Sequence, residues 1–184
     1  MKNMSVSLSL LLLSAISHAN PSTIFYIGES TVTMNSGQVY TSSYLDARTS
    51  DETKNTISED VVSQGRNGFQ ESSAVMEISG DHFTMTEATG TVTGSGDLTG
   101  IPWKWTFLKA EFKIAASGMR IIDYNFLADP NSIQGHKDFY ISSPGQGESL
   151  YMQEDVVLHP VSVEEFSKKK AELLDHSTRS QSQR

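Results

Sequence analysis

Residues 90–105 read GTVTGSGDLTGIPWKW, and this stretch decides between two kinds of protein. Four glycines in it are followed by two tryptophans, Trp103 and Trp105. A dinucleotide-binding loop needs the spacing GxGxxG between a strand and a helix. Here the spacing from Gly94 is GxGxxxG, and the Ile-Pro-Trp that follows does not begin a helix. The stretch therefore predicts a β-strand rather than a phosphate-binding loop.

Two small residues on one face of this strand indicate close packing. Gly94 and Gly96 share a face, because side chains alternate along a strand. Glycine inside a strand is typical of a place where the sheet bends or another group approaches closely. We expect these glycines to make room for the tryptophans of a neighbouring strand, or for a ligand lying over them.

Alternating apolar and polar residues recur along most of the chain. Short turn sequences, such as NSG at 35–37 and DPN at 129–131, separate the segments. The pattern predicts about 8–10 consecutive antiparallel strands. Residues 47–55 (ARTSDETKN) are polar and charged without periodicity, and we interpret them as a loop.

The apolar run at 103–114 contains two sets of residues that cannot share one face of a strand. Its aromatic residues up to Phe107 stand at odd positions, and its apolar residues from Leu108 onward stand at even positions. A β-bulge near 107–109 would turn both sets inward. Long bulged strands are typical of small closed barrels. The predicted fold class is therefore all-β, an antiparallel up-and-down barrel with one C-terminal α-helix.

The two ends of the chain carry their own signals. Lys2, the short apolar run at 6–16 and the small residues of SHA at 17–19 are typical of a signal peptide. The run is too short to span a bilayer, so we expect a periplasmic or secreted protein. The predicted organisation is a signal peptide at 1–19, a barrel domain at 20–161, a C-terminal helix at 162–176 and a disordered tail at 177–184.

The start of the C-terminal helix is well marked. Ser162 followed by Glu165 forms a capping box, and Val161 with Phe166 forms a hydrophobic staple. We expect the helix to pack outside the barrel or to close one end of it, burying Phe166 and Leu173.

Composition excludes several classes of function. The chain has 14 basic and 22 acidic residues, a formal charge of −8, which disfavours binding to nucleic acid. The chain has no cysteine, which excludes thiol catalysis, iron–sulfur clusters and cysteine zinc sites. No stretch after the signal peptide is apolar enough for a transmembrane segment. We predict no cofactor and no metal site, and the sequence does not fix the oligomeric state.

The stretch at 90–158, with GSGDLTGIPWKWTF and then RIIDYNFLADP, resembles the lipocalin-like (calycin) barrels, and is similar to bacterial periplasmic families of that type. The glycine-x-tryptophan that lipocalins carry near their first strand is absent, since Gly28 is followed by Glu29 and Ser30. The resemblance implies a barrel whose cup binds a small, largely apolar molecule.

Candidate ligand contacts are aromatic residues of the central strands together with nearby polar groups. A barrel of about eight strands either holds one small ligand or is filled by its own side chains, so plain core packing remains an alternative for these residues. The predicted lining and anchor residues are Trp103, Trp105, Phe107, Phe112, Arg120, Asp123, Tyr124, Phe126 and His136.

The predicted function is non-enzymatic binding of a small hydrophobic or amphipathic molecule, with no catalytic residue assigned. One alternative is an enzyme on the same barrel, with His136 and Asp138 (or Asp123) as acid and base. That pair lacks the nucleophile or third ligand that such sites need. A second alternative is a structural or envelope-interaction protein with a filled core and an exposed apolar patch.

Overall fold

Ten antiparallel strands form a closed barrel, and a helix follows them in the described part of the chain. The chain is seen in a computed structural model, which describes residues 21–65, 68–101, 104–129, 132–143, 145 and 147–181. The elements are β1 (Ser22–Met34), β2 (Val39–Asp51), β3 (Thr56–Gly65), β4 (Gly68–Ser79), β5 (His82–Glu87), β6 (Val92–Ile101), β7 (Lys104–Ile114), β8 (Met119–Asp129), β9 (Ser132–Ser143), β10 (Gly147–Val161) and α1 (Val163–Gln181). The predicted all-β barrel with a C-terminal helix is confirmed.

The strands follow one another around the barrel in chain order, and β1 pairs with β10 to close it. The closing ladder runs from Phe25 opposite Val161 to Met34 opposite Met152. The hairpin turn between β1 and β2 contains Gly37 with a φ of 81°, a left-handed conformation that favours glycine. The predicted turn at 35–37 thus lies where the first hairpin needs it.

The interpretation of 47–55 as a loop is wrong over its first half. Strand β2 continues to Asp51, which pairs with Thr56 at the start of β3. Asp46 and Arg48 lie on one face of β2, and Leu45 and Ala47 lie on the other. Charged residues do not interrupt this strand, because the face that carries them looks into a partly polar barrel interior.

The predicted bulge is present, one residue before the predicted range. Thr99 of β6 lies opposite Phe107, but the next residue, Gly100, lies opposite Trp105, so Thr106 is the extra residue. The bulge reverses the alternation of β7, and both Trp105 and Leu108 are buried in the barrel core. Phe107 consequently points to the outer face.

Gly94 and Gly96 of β6 make room for phenylalanine rings rather than for Trp105. A Cβ on Gly94 would overlap the ring of Phe112. A Cβ on Gly96 would stand 2.8 Å from the ring of Phe83 and 2.8 Å from the Cα of Ala110. The close approach that the sequence predicts is therefore real, but its partners lie on β5 and β7.

Helix α1 packs on the outer wall of the barrel. Phe166 and Leu173 are buried against Leu45 and Val62, which point outward from β2 and β3. The predicted cap is present, since the backbone N–H of Glu165 donates to Ser162 Oγ at 3.2 Å.

The helix extends to Gln181, past the predicted end at residue 176, because the sequence STRSQ at 177–181 contains no glycine or proline to stop it. Residues 182–184 and the predicted signal peptide lie outside the described residues. None of the helical segments described here is both long and apolar enough to cross a membrane.

Candidate functional site

The barrel encloses two adjoining spaces. The inner chamber has a volume of about 260 Å³, and the polar mouth has a volume of about 530 Å³. The mouth reaches the end of the barrel where the β1–β2 and β3–β4 hairpins turn, since Met34, Gln38, Gly65 and Gly68 line it. The two spaces share Tyr44, Val61 and Ser72 as lining residues.

The lining of the inner chamber combines apolar and charged side chains, and we call these two sets the apolar wall and the charged wall. The apolar wall comprises Met76, Phe83, Met85, Leu108, Phe112, Ile121 and Phe139. The charged wall comprises Asp46, Arg48, Glu59, Asp123 and Lys137. Charged side chains on adjacent inward faces of β2, β3, β8 and β9 are unusual for the core of a small barrel, where apolar side chains dominate.

Arg48 holds two carboxylates at the floor of the inner chamber. Its Nε donates to Asp46 Oδ2 at 2.7 Å and lies 2.9 Å from Glu59 Oε1. The guanidinium carbon stands 5.6 Å from the ring centroid of Trp105 and 5.8 Å from that of Tyr26. Two aromatic rings and two carboxylates thus stabilise one cation whose side chain is 14% exposed.

Lys137 stands at the junction with the polar mouth. Its Nζ lies 3.7 Å from Glu154 Oε2 and 5.6 Å from the ring centroid of Tyr44. Burial raises the pKa of the Tyr44 hydroxyl to about 12, so this group remains protonated at neutral pH. Nearby Asn125 donates from Nδ2 to Asp123 Oδ1 at 2.9 Å.

The two aspartates of the charged wall differ from surface carboxyl groups. Burial raises the pKa of Asp46 to about 6 against the attraction of Arg48. Burial also raises the pKa of Asp123, and Lys137 opposes that rise. Asp46 Oδ1 is buried without a hydrogen-bond partner among the described residues. The inner chamber therefore contains a carboxylate with an unused acceptor.

The substitution Asp46→Asn tests this electrostatic environment. Since the folded state raises the pKa of Asp46 above its usual 3.8, the protonated carboxyl contributes stability below about pH 4, and that contribution is lost as the pH rises through 6. We expect the stability of Asp46→Asn relative to the natural chain to increase by about 1–3 kcal/mol between these pH values. Urea unfolding across this range measures it. Asp60→Asn, on the exposed outer face of β3, is the control, and an equal pH effect there would contradict the assignment.

Two of the predicted site residues line the inner chamber, and a third lies beneath it. Phe112 and Asp123 are lining residues. Trp105 is buried at the floor, against Arg48. Trp103 lies outside the described residues, so its predicted contact with a ligand stays a prediction.

The other predicted residues lie on the outer face, because the odd positions of β8 and β9 face inward. Phe107 packs on Phe126 with ring centroids 4.8 Å apart, and the side chain of Phe126 is 48% exposed. Arg120 donates from Nε to Glu148 Oε1 at 2.9 Å, outside the barrel. Tyr124 lies outside as well, under the ammonium group of Lys109. The expectation that these residues line the cup does not agree with their placement.

His136 also points outward and cannot anchor a ligand in the inner chamber. Its Nε2 lies 3.3 Å from Asp138 Oδ1, and its Nδ1 lies 2.7 Å from Asp155 Oδ1. The bond to Asp155 raises the pKa of His136. The proposed acid–base pair therefore exists as a contact, but it lies on the opposite face of β9 from the charged wall. Within the described ranges, no three or more histidine or acidic side chains form a group that could hold a metal ion.

Sequence reasoning missed most of the charged wall. Arg48 falls in the segment interpreted as a loop, and Asp46, Glu59 and Lys137 were given no role in a site. A usable signal was present: Tyr44, Asp46 and Arg48 alternate with Leu45 and Ala47, which is the pattern of a two-faced strand.

Comparisons with known proteins agree with the barrel geometry. No family model and no curated protein matches the sequence. Among solved structures, the S-type phycobiliprotein lyase CPES from Guillardia theta superposes with a TM-score of 0.56 over 75% of this chain and 87% of that chain. The fold is lipocalin-like. Because this chain and the phycobiliprotein lyase are 9% identical in sequence, their similarity concerns the fold alone.

Proposed function

We propose that this lipocalin-like barrel binds a small amphipathic molecule in its inner chamber and does not convert it chemically. The observation that carries the proposal is a chamber of about 260 Å³ whose lining combines apolar side chains with charged side chains. Such a chamber suits a molecule with one apolar part and one polar group.

The two walls contribute in different ways. Burial of apolar ligand surface against rings such as Phe83 and Phe112 favours binding by roughly 25 cal/mol per Å². The charged wall adds orientation, because a polar group placed there lies beside the carboxyl groups of Asp46 and Asp123, and Asp46 has one oxygen, Oδ1, without a hydrogen-bond partner among the described residues. A ligand without a polar group would leave that acceptor unsatisfied, which is unfavourable in a buried site.

The open chamber favours a binding protein over a barrel filled by its own side chains. A barrel packed to protein density leaves few voids larger than a water molecule. The space found here corresponds to about nine water-sized groups at roughly 30 Å³ each. The fold of the phycobiliprotein lyase supports the capacity of such a barrel to serve small-molecule chemistry, without specifying this ligand.

Native mass spectrometry of the full chain, purified from its own cells, tests the proposal. We expect a reproducible additional mass that is lost on denaturation, and an absorbance scan of the same sample would characterise it. A chain that carries no additional mass and binds none of the small probes described below would contradict the proposed function.

The substitution Ala74→Trp should close the inner chamber. Ala74 lines it from β4, and an indole in its place would occupy much of the space. We expect binding of the neutral probe 4-phenyl-1-butanol, followed by calorimetric titration, to weaken at least about tenfold, equivalent to 1.4 kcal/mol. Val75→Trp is the matched control, because Val75 is the next residue of β4 and points outward. Equal binding by the two variants would place the ligand elsewhere.

We further propose that the chain is exported to the periplasm or secreted, as the N-terminal sequence predicts. Intact mass measurement of the protein from its native source should show a chain that starts at Asn20. A chain that retains residues 1–19 in the cytoplasmic fraction would contradict this localisation.

A further inference from the structure

More acidic than basic side chains face the inside of the barrel. Arg48 and Lys137 are the cations that line the inner chamber or the polar mouth in the described part of the chain. Five carboxyl groups line the same spaces, namely Asp46, Glu59, Glu87, Asp123 and Glu154. When every carboxyl group is ionised, these walls carry an excess of negative charge.

The hydrogen bonds around Asp46 give a second indication that the interior can accept a cationic donor. Arg48 uses its Nε for Asp46 Oδ2 and for Glu59, and the other oxygen of Asp46 is left without a donor among the described residues. Lys137 stands 3.7 Å from Glu154, a distance for an ion pair without a good hydrogen bond. Asp46 thus has an oxygen that no donor reaches, in walls that hold more carboxyl groups than cations.

We propose that the ligand carries a protonated amine-type nitrogen, which binds at Asp46 and Asp123 while its apolar part lies on the apolar wall. The inference deepens the proposed binding function and rests on it. A protonated nitrogen supplies a positive charge and a donor together. An alcohol supplies only the donor, and a carboxylate adds a further negative charge to a site that already has an excess.

The protonation of Asp46 and Asp123 in the absence of a ligand agrees with this assignment. Burial raises the pKa of Asp46 and of Asp123, so bound protons reduce the negative charge when no ligand is present. A ligand cation takes the place of a proton, and binding should therefore release protons and become tighter as the pH rises through about 6. The titratable and charged groups around Asp46 are Tyr26 on β1, Tyr44 and Arg48 on β2, Glu59 on β3, Asp123 on β8, Lys137 on β9 and Glu154 on β10.

Three probes with one apolar body and different polar groups separate the possibilities: 4-phenylbutylamine, 4-phenyl-1-butanol and 4-phenylbutyrate. Each is titrated calorimetrically into the full chain at about pH 8, which lies above the pKa of about 6 of Asp46. We expect the amine to bind at least about tenfold more tightly than the alcohol, and the acid to bind most weakly. Titration of the amine in two buffers of different ionisation enthalpy should show proton release near pH 6.

The possible failures are distinguishable. Equal binding of the three probes, or tightest binding of the acid, would overturn the charge assignment and leave the chamber as a binding site. No binding of any probe at concentrations up to about 1 mM would overturn the proposed function together with this inference.

Single-residue variants test which carboxyl groups cause the preference for the amine over the alcohol. Asp46→Asn and Asp123→Asn should each weaken binding of the amine more than binding of the alcohol, so that the amine-to-alcohol ratio of affinities falls several-fold. Asp60→Asn, on the outer face of β3, should leave the ratio unchanged. Far-ultraviolet circular dichroism establishes that each variant folds, and a ratio that survives in both folded chamber variants would contradict the assigned partners.

Discussion

Arg48→Met should lower the free energy of unfolding by about 3–5 kcal/mol, the usual cost of removing one partner of a buried ion pair. The methionine retains much of the side-chain volume, so the main loss is electrostatic. Without the guanidinium, Asp46 and Glu59 face each other in the barrel with no bonded cation. Urea denaturation at neutral pH measures the effect.

Arg120→Met is the matched control for this prediction. Arg120 also joins two carboxylates, Glu111 and Glu148, but it does so on the outer face of the barrel. Exposed ion pairs contribute little to stability, so we expect little change in the urea midpoint. The triple variant Arg48→Met, Asp46→Asn, Glu59→Gln should regain much of the loss, since it removes the charges together with their counter-ion. Equal effects of the two single arginine variants would show that the inner charges do not stabilise the fold through pairing.

Gly96→Val should be nearly as damaging, with an expected loss of about 3 kcal/mol, at the upper end of the range for overpacked cores. The first added carbon already meets the ring of Phe83 and the backbone of Ala110 at 2.8 Å, and valine adds two methyl groups beyond it. The backbone of β7 cannot move away without breaking its ladder with β6. Thermal and urea unfolding should both show the loss.

Ser95→Val controls for the change in strand propensity. Ser95 precedes Gly96 on β6, points outward and is exposed. Valine suits a strand at such a position, so we expect a change within about 0.5 kcal/mol. Folding of Gly96→Val at natural stability would mean that the β6–β7 contact is looser than the structure shows.

The strands, turns and C-terminal helix could be predicted from the sequence because the signals for them are local. Alternation over short segments, turn sequences such as NSG at 35–37 and the capping box at Ser162 each depend on a few neighbouring residues. The change of parity at Phe107 even predicted a bulge, which lies at Thr106. A closed barrel was predicted from the long bulged strand alone, and no local signal reports the ladder between β1 and β10 at the two ends of the domain.

The site was harder to predict because it depends on which face of each strand points inward. In the sequence GHKD at 135–138, His136 and Asp138 drew attention, but Lys137 is the residue that faces the chamber. A shift of one residue in the assumed face exchanges the whole set of inward side chains. The face of β8 raised the same difficulty: Asp123 lies inside, while its neighbour Tyr124 lies outside.

The remaining site residues were not predicted because their charge is typical of loops rather than of inward-facing strand positions. Arg48 lies in a polar stretch, and polar stretches without clear periodicity usually indicate loops. Arg48 lies beside Glu59 and Trp105 only in the folded barrel. These contacts stabilise an arginine side chain that is largely removed from water. Pairing across strands is a tertiary property, and residue spacing along β2 alone does not contain it.

The ladder between the first and last strands also constrains how the chain acquires its structure. Phe25 finds its partner Val161 only after nearly the whole domain has been synthesised. Until then β1 presents an unpaired edge, and the final step must join segments far apart in sequence, a topology associated with folding in milliseconds to seconds. Newly made chains should therefore depend on protection of that edge, and α1, which packs over β1 and β4, can add its contacts only at the end of the process.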